Sequence, residues 1–211
     1  MRALSILAIL LVCPILGCAG FEHPLSPLDE ASFDDEVHGT WVMESEDEEG
    51  NVHRAFVHIG KAASLEPDDN DANFRTGNWQ DRKAPYPYKN FTRIVSVSHQ
   101  SDGHVKSSSW LAFPTKIGKQ RFASVPMFEE GKIAGYYFWF YELKDDHLTI
   151  WTDTDDDKIE KLLESGILKR KNSAITNDTD SLRKLLEAKG GEIFFTDEPK
   201  CVLRRLESKT E

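Results

Sequence analysis

Short stretches in which apolar and polar residues alternate recur along the chain, and they predict a series of β-strands. Val95 and Val97 fall on one face of such a stretch, whereas Ser96 and Ser98 fall on the other. This period of two is typical of a strand with one buried face. The predicted strands cover residues 39–45, 52–59, 91–99, 105–113, 120–128, 135–143, 147–152 and 200–206.

Turn-forming residues separate most of these strands at short intervals. Asp102-Gly103, Glu130-Gly131 and Asp145-Asp146 each lie between two predicted strands, and such short connections join antiparallel neighbours. An antiparallel meander of about eight strands closes best as a barrel. The sequence therefore predicts a mainly β protein with one β-barrel domain over residues 37–207; a different barrel or a sandwich is the alternative.

The hydrophobic period changes before the last strand and predicts two α-helices. Ile159, Leu162 and Leu163 are spaced i, i+3, i+4, which indicates a helix near residues 154–165. A second run of leucines indicates a helix near residues 179–189. Acidic residues precede both runs and a glycine follows each, as helix ends favour.

Two stretches of the chain lack the regular spacing of apolar residues that marks a strand or a helix. Residues 18–36 contain Pro24, Pro27 and several acidic residues, and they are predicted to form a tether ahead of the barrel. Residues 61–90 are rich in proline and aspartate and are predicted to form a long loop over one barrel end.

Composition and charge exclude wholesale disorder and one class of binding partner. The chain of 211 residues is 39% hydrophobic, which suffices for a core, so wholesale disorder is excluded. It carries 36 acidic and 26 basic side chains, a formal net charge of −10. A general nucleic-acid partner requires a basic face and is not expected.

The N-terminus has the features of a secretory signal. Arg2 precedes a run of apolar residues from Ala3 to Leu16 that is too short to span a bilayer comfortably. The run ends in Leu16-Gly17-Cys18-Ala19, which resembles the lipobox of bacterial lipoproteins.

That resemblance implies a signal peptide over residues 1–17 and a lipid-modified Cys18. The expected partner is then the membrane, and the expected location is the cell envelope. Ala19, in place of an aspartate, favours the outer membrane over the inner one. Cys201 would be the sole unmodified cysteine, so no intramolecular disulfide is expected. An ordinary signal cleaved after Ala19 or Gly20 is the alternative.

The first predicted strand carries a second resemblance. Phe33-Asp34 is followed by Gly39-Thr40-Trp41, which is similar to the opening motif of the lipocalins and their calycin relatives. The resemblance implies an eight-stranded barrel whose closed end is plugged by Gly39 and Trp41. It also implies a basic residue of the last strand lying over the tryptophan, a position that Arg204 or Arg205 would take.

The strand 135–143 is aromatic on both faces. One face can fill the core, and the other needs a cover, which the helices or the long loop would supply. Alternatively, the second face lines a cup for an apolar ligand. The residues proposed for that cup are Tyr137, Trp139 and Tyr141, with Trp110 or Trp151.

Motifs for catalysis or metal binding are not evident. Asp153, Asp155, Asp157 and Glu164 have the spacing of a calcium loop, but Lys158 stands where that loop needs glycine. An acidic helix start is the preferred interpretation. We therefore expect no metal, no cofactor and no enzymatic activity.

Two classes of function remain open at this stage. The first is a lipid-anchored envelope protein that binds a lipid or another hydrophobic small molecule, as the lipocalin resemblance implies. The second is an envelope assembly or protein-interaction module with a filled barrel and no ligand.

Overall fold

The structure is a computed structural model. It describes residues 20–27, 30, 33–46, 52–61, 91–99, 104–129 and 132–206. The predicted signal, Cys18 and residues 62–90 of the predicted loop lie outside the described residues.

The described strands agree closely with the alternating stretches of the sequence. Three two-residue strands that the pattern did not predict join the eight that it did. The strands are β1 (Gly20–Phe21), β2 (Gly39–Glu46), β3 (Val52–Lys61), β4 (Thr92–His99), β5 (Val105–Ile117), β6 (Gln120–Glu129), β7 (Lys132–Lys144), β8 (His147–Trp151), β9 (Arg170–Lys171), β10 (Ala174–Ile175) and β11 (Cys201–Arg205).

Eight of these strands close into a barrel. From β2 to β8 each strand pairs antiparallel with the next one, and β11 pairs antiparallel with both β8 and β2. The ring therefore has no free edge. This confirms the predicted antiparallel meander, closed as an eight-stranded barrel, with two helices before the last strand.

Cross-strand register assigns each side chain to the inside or the outside of the barrel. Trp41 pairs with Val57, and Val57 pairs with Ser96, so these three share the inner face. On β7, Tyr137 and Trp139 pack with the inner cluster around Trp41, whereas Phe138 packs with a separate outer cluster. Both aromatic faces of β7 are therefore used, one in the lumen and one outside.

The two helices cover the outer face. Helix α1 (Asp156–Glu164) begins at Asp155, whose carboxylate accepts a hydrogen bond from the Lys158 backbone N–H at 3.1 Å. Helix α2 (Thr179–Lys189) begins at Asp178, which accepts from the Ser181 N–H at 2.7 Å. Their buried positions join the outer cluster: Ile159, Leu182 and Leu186.

The segment predicted as a tether is, in its described part, built into the fold. Phe21 has no exposed surface and stacks on Phe138 with ring centroids 4.0 Å apart. Leu25 is equally buried, and its N–H donates to the Ser124 hydroxyl at 3.0 Å. The tether prediction is therefore corrected for residues 20–27, which pack between the barrel wall and α2.

The barrel has two different ends. We call the end where β2 starts at Gly39 and β7 finishes at Lys144 the closed end, because the 3-10 turn Asp35–Val37 crosses it. We call the opposite end, where β6 finishes at Glu129 and β7 starts, the open end.

Candidate functional site

A stack of three groups seals the closed end. The Arg205 guanidinium lies 4.2 Å from the centre of the Trp41 ring, which has no exposed surface. The Trp41 indole N–H donates to the Val37 carbonyl oxygen at 2.9 Å. Arg205 also donates to the carbonyl oxygens of His38, at 2.8 Å, and Glu36. The guanidinium thus joins the last strand to the 3-10 turn, through cation–π and hydrogen-bond contacts.

Strand register decides which of the two arginines plugs the barrel. Arg205 pairs with Trp41, whereas Arg204 pairs with Val42, which points outward. A Cβ at Gly39 would lie 3.1 Å from the Arg205 guanidinium, and the φ of Gly39 is +134°. Gly39 therefore supplies both the backbone conformation and the space that Arg205 needs.

A buried carboxylate forms a second layer of the closed end. Asp34 is 2% exposed, and its carboxylate accepts from the Tyr141 hydroxyl at 3.0 Å and from Arg121 at 3.1 Å. Arg121 also pairs with Glu36. Burial, with the neighbouring Asp34 charge, raises the pKa of Tyr141 well above its usual range. Tyr141 is therefore a fixed hydrogen-bond donor to this network rather than a wall residue of an open cup.

Large aromatic side chains line the lumen above that seal. Trp110 pairs with Ile94 on the inner face, and its ring lies 6.1 Å from that of Trp139 at an interplanar angle of 66°. Tyr137 lies one inward position further towards the open end on β7. These three residues of the proposed cup therefore form one aromatic side of the barrel interior.

The side chains of the lumen differ in how completely they are buried. In the outer cluster, Phe113, Phe122 and Phe138 are at most 1% exposed. In the lumen, Tyr137 and Trp139 are only partly buried, although they face into a closed barrel. The part of the lumen near the closed end is as fully buried as the outer cluster, since Trp41, Leu148 and Leu203 are at most 2% exposed, but Tyr137 and Trp139 keep surface that a guest molecule can cover.

A polar wall of the lumen lies outside the residues predicted to line a site. Ser96 and Ser98 on β4 share the inner face with Ser108 and Lys106 on β5, with which they pair. Alternation had placed the β4 serines on one face, but the outer face of a strand is the usual place for serine. Ser96 pairs with Val57, whose side chain lies in the lumen, and this register places the serines of β4 inside the barrel.

Trp151 lies away from the lumen. Its ring is 4.9 Å from that of Phe140, and both belong to the outer cluster. Of the residues proposed for a cup, Trp151 is therefore the one that the structure places on the opposite face. It serves as a natural control for the lumen residues.

The acidic residues with the spacing of a calcium loop, and Cys201, have structural roles. Asp153 pairs with Lys200 at 2.9 Å, and Asp155 begins α1. The described residues hold no group of three or more His, Cys, Asp or Glu side chains that could ligate a metal ion. Cys201 faces the inner cluster, and burial raises the pKa of its thiol to about 12, which keeps it unreactive at neutral pH.

Among the described residues there is no helix of the length and hydrophobicity required to span a bilayer. Cys18 lies outside the described residues, two positions before β1. A comparison of the chain with family models, curated proteins and solved structures finds no match.

Proposed function

We propose that this protein binds one apolar or amphipathic small molecule in the barrel lumen, and that a lipid on Cys18 holds it at a membrane of the cell envelope. The observation that carries the proposal is the partial exposure of Tyr137 and Trp139 inside a closed barrel. An eight-stranded barrel either fills its interior with side chains or holds one small ligand, and the exposed surface of these two rings favours the ligand.

The lining suits a ligand with an apolar body and a polar group. Trp110, Tyr137 and Trp139 offer aromatic surface on one side. Ser108 and Lys106 offer hydrogen-bond donors, on the part of β5 that lies towards the open end. The sealed closed end leaves the open end as the entrance. The resemblance of residues 33–41 to the lipocalin opening motif supports the same assignment.

The membrane part of the proposal rests on the lipobox resemblance of Leu16-Gly17-Cys18-Ala19. Lipid chains bind membranes in proportion to their buried CH₂ groups, at about 0.8 kcal/mol each, so several chains anchor a protein durably. Ala19 at the position after the cysteine favours the outer membrane.

Titration with an apolar fluorescent probe, N-phenyl-1-naphthylamine, tests the ligand site. We expect saturable binding at one site, which Trp139→Ala weakens about tenfold because it removes part of the contact surface. Trp151→Ala is the matched control: it should leave the probe affinity unchanged and lower the stability instead, because its ring packs outside the barrel. Equal effects of the two variants on affinity would contradict the lumen site.

The runner-up function is a protein-interaction module. Phe56 and Val202 point outward from the barrel wall and are 36% and 48% exposed, and they are apolar side chains that a protein partner on this wall would cover. Absence of saturable probe binding to the folded protein would favour this second function over the first.

A further inference from the structure

The inner face of the barrel changes from apolar to polar towards the open end. On β4, Ile94 is followed in that direction by Ser96 and Ser98. The inner positions of β5, in order from the closed end to the open end, are Ala112, Trp110, Ser108 and Lys106. From the closed end outwards, this wall of the lumen therefore offers apolar surface, then hydroxyl groups and finally an ammonium group.

The two strands beside this wall end in the same way. The inner position nearest the open end is Ser45 on β2 and His53 on β3, and these two residues pair with each other. Nearer the closed end, the inner side chains of both strands are apolar, as at Trp41 and Val57. Four neighbouring strands thus place polar side chains at the open end and apolar ones further in.

The positive charge at this end of the lumen is not balanced by carboxylates on the same wall. The sequences of β3, β4 and β5 contain no aspartate or glutamate. On the next strand, β6, the one acidic residue is Glu129, which ends the strand and is exposed to solvent. Lys106 is half-buried and forms no ion pair with any other described residue. A half-buried ammonium group in such surroundings favours an anion beside it.

The distance along this wall fits a single apolar chain with a charged head. Lys106 lies four residues from Trp110 on the same face of β5, which is about 13 Å along the strand. The rings of Trp110 and Trp139, 6.1 Å apart, can cover the far part of such a chain. A molecule that enters tail first through the open end keeps its head near water and near Lys106, so its charge is not fully desolvated.

We propose that the occupant of the lumen is a single-chain amphiphilic anion, with its carboxylate or phosphate head beside Lys106 and its apolar chain against Trp110 and Trp139. This inference rests on the proposed ligand site in the lumen. The hydroxyl groups of Ser98 and Ser108, on either side of Lys106, are further donors for the oxygens of the head. The protein as a whole carries a net charge of −10, which attracts cations, so a preference for an anion must come from the local charge of Lys106.

Competition against N-phenyl-1-naphthylamine tests the preference for an anion. The full chain is held in nanodiscs of phosphatidylcholine, and protein-free nanodiscs give the correction for partition into lipid. Dodecanoate, dodecanol and dodecyltrimethylammonium, which share one apolar chain and differ in the head group, each compete with the probe. We expect dodecanoate to displace the probe at a concentration about tenfold lower than dodecanol, and the cation to be the weakest competitor. Dodecyl phosphate in the same assay distinguishes a phosphate head from a carboxylate head.

Substitutions of two lysines locate the charge that is responsible. Lys106→Gln should remove the tenfold preference for dodecanoate over dodecanol, and Lys106→Arg should keep it, because arginine retains the positive charge. Lys119→Gln is the matched control, since Lys119 is exposed in the turn between β5 and β6 at the closed end and its substitution changes the net charge equally. The readout is a ratio of two competitors on the same chain, so it does not depend on how much of a variant is folded.

The outcomes separate this inference from the proposed function. Saturable probe binding with the same preference for dodecanoate in Lys106→Gln and Lys119→Gln, or with no preference in the wild type, overturns the anionic ligand and leaves the lumen site standing. A stronger effect of dodecyltrimethylammonium than of dodecanoate does the same. Absence of saturable probe binding to the folded wild type overturns the lumen site, and the anionic ligand with it.

Discussion

At the residue scale, two neighbouring arginines on the last strand differ in role because one points into the barrel and the other points out. The Arg205 guanidinium covers Trp41 and bonds two carbonyl groups of the closed end. Arg204 is exposed on the outer wall. The two have the same chemistry, and only the pleat of β11 separates their roles.

We therefore expect Arg205→Ala to lower the free energy of unfolding by about 2–3 kcal/mol, because a cation–π contact and charge-assisted hydrogen bonds are lost. Arg204→Ala should change it by less than about 0.5 kcal/mol, as exposed substitutions do. Urea denaturation of both variants measures the difference. Similar midpoints for the two would mean that Arg205 does not seal the barrel.

His38 makes the closed end sensitive to acid. Burial lowers the pKa of His38, and the carboxylate of Asp35, 3.2 Å from its Nδ1, opposes the shift only in part. Its Nε2 is buried and has no hydrogen-bond partner among the described residues. The unfolded chain therefore takes up the His38 proton more readily than the folded one, and stability falls as the pH drops below about 6.5.

Thermal unfolding between about pH 7.5 and pH 5.5 tests this sign. The melting temperature of the wild type should fall further over that interval than the melting temperature of His38→Gln, because glutamine takes up no proton. Glu36, whose pKa is lowered by its hydrogen bond to Arg121, loses its contribution only below about pH 4.5 and so does not confuse the comparison. Parallel pH profiles for the two proteins would rule out His38 as the source.

At the scale of elements, the N-terminal segment behaves as part of the core. The Phe21 ring stacks on Phe138 of β7, the Ser26 hydroxyl bonds to Thr115 of β5, and the backbone of the segment bonds to groups of β6 and α2 far away in sequence. The Thr179 hydroxyl donates to the Pro24 carbonyl oxygen at 2.7 Å, and Arg183 donates to the Leu25 carbonyl oxygen at 3.2 Å. These bonds fix α2 on the barrel as much as they fix the segment.

Phe21→Ala should therefore destabilise the domain by about 3–5 kcal/mol, because it opens a cavity beside Phe138. Phe56→Ala is the matched control, since its ring is 36% exposed on the outer wall, and its effect should be much smaller. Chemical denaturation gives both values. If Phe21→Ala were as mild as Phe56→Ala, the segment would be a tether after all.

At the scale of the whole molecule, a buried outer cluster lies against the barrel wall, and the lumen is buried near its closed end but partly exposed at Tyr137 and Trp139. The outer cluster includes side chains of both helices and of residues 20–27, so it holds all three against the barrel wall. The proposed ligand site depends on the surface that Tyr137 and Trp139 keep within the lumen. The anchor at Cys18 would bring this domain to the membrane.

Cell fractionation tests the anchor. Cys18→Ser should accumulate as an unlipidated precursor, because the modified sulfur and the cleavage signal are both lost. Cys13→Ser, within the same apolar run, should be processed and remain with the membranes. A Cys18→Ser protein that is processed and fractionates like the wild type would show that Cys18 carries no lipid.

Local patterns in the sequence determined the strands, the helices and their order. Alternation marks a strand wherever one face meets the core, and Asp155 and Asp178 begin their helices through bonds within a few residues. Consecutive strands that are joined by short turns then pair antiparallel. Each of these signals depends on residues close together in the chain, so the sequence displays it directly.

Only the tertiary structure decided which face of each strand is inside. On β7 both faces are aromatic, so alternation is symmetric, and register with β6 is what places Trp139 in the lumen and Phe138 outside. Residues 20–27 have no period at all, and their burial depends on a groove built by residues more than 80 positions away, such as Thr115 and Ser124. Such long-range complementarity leaves no local mark in the sequence, because it arises only when the barrel has closed.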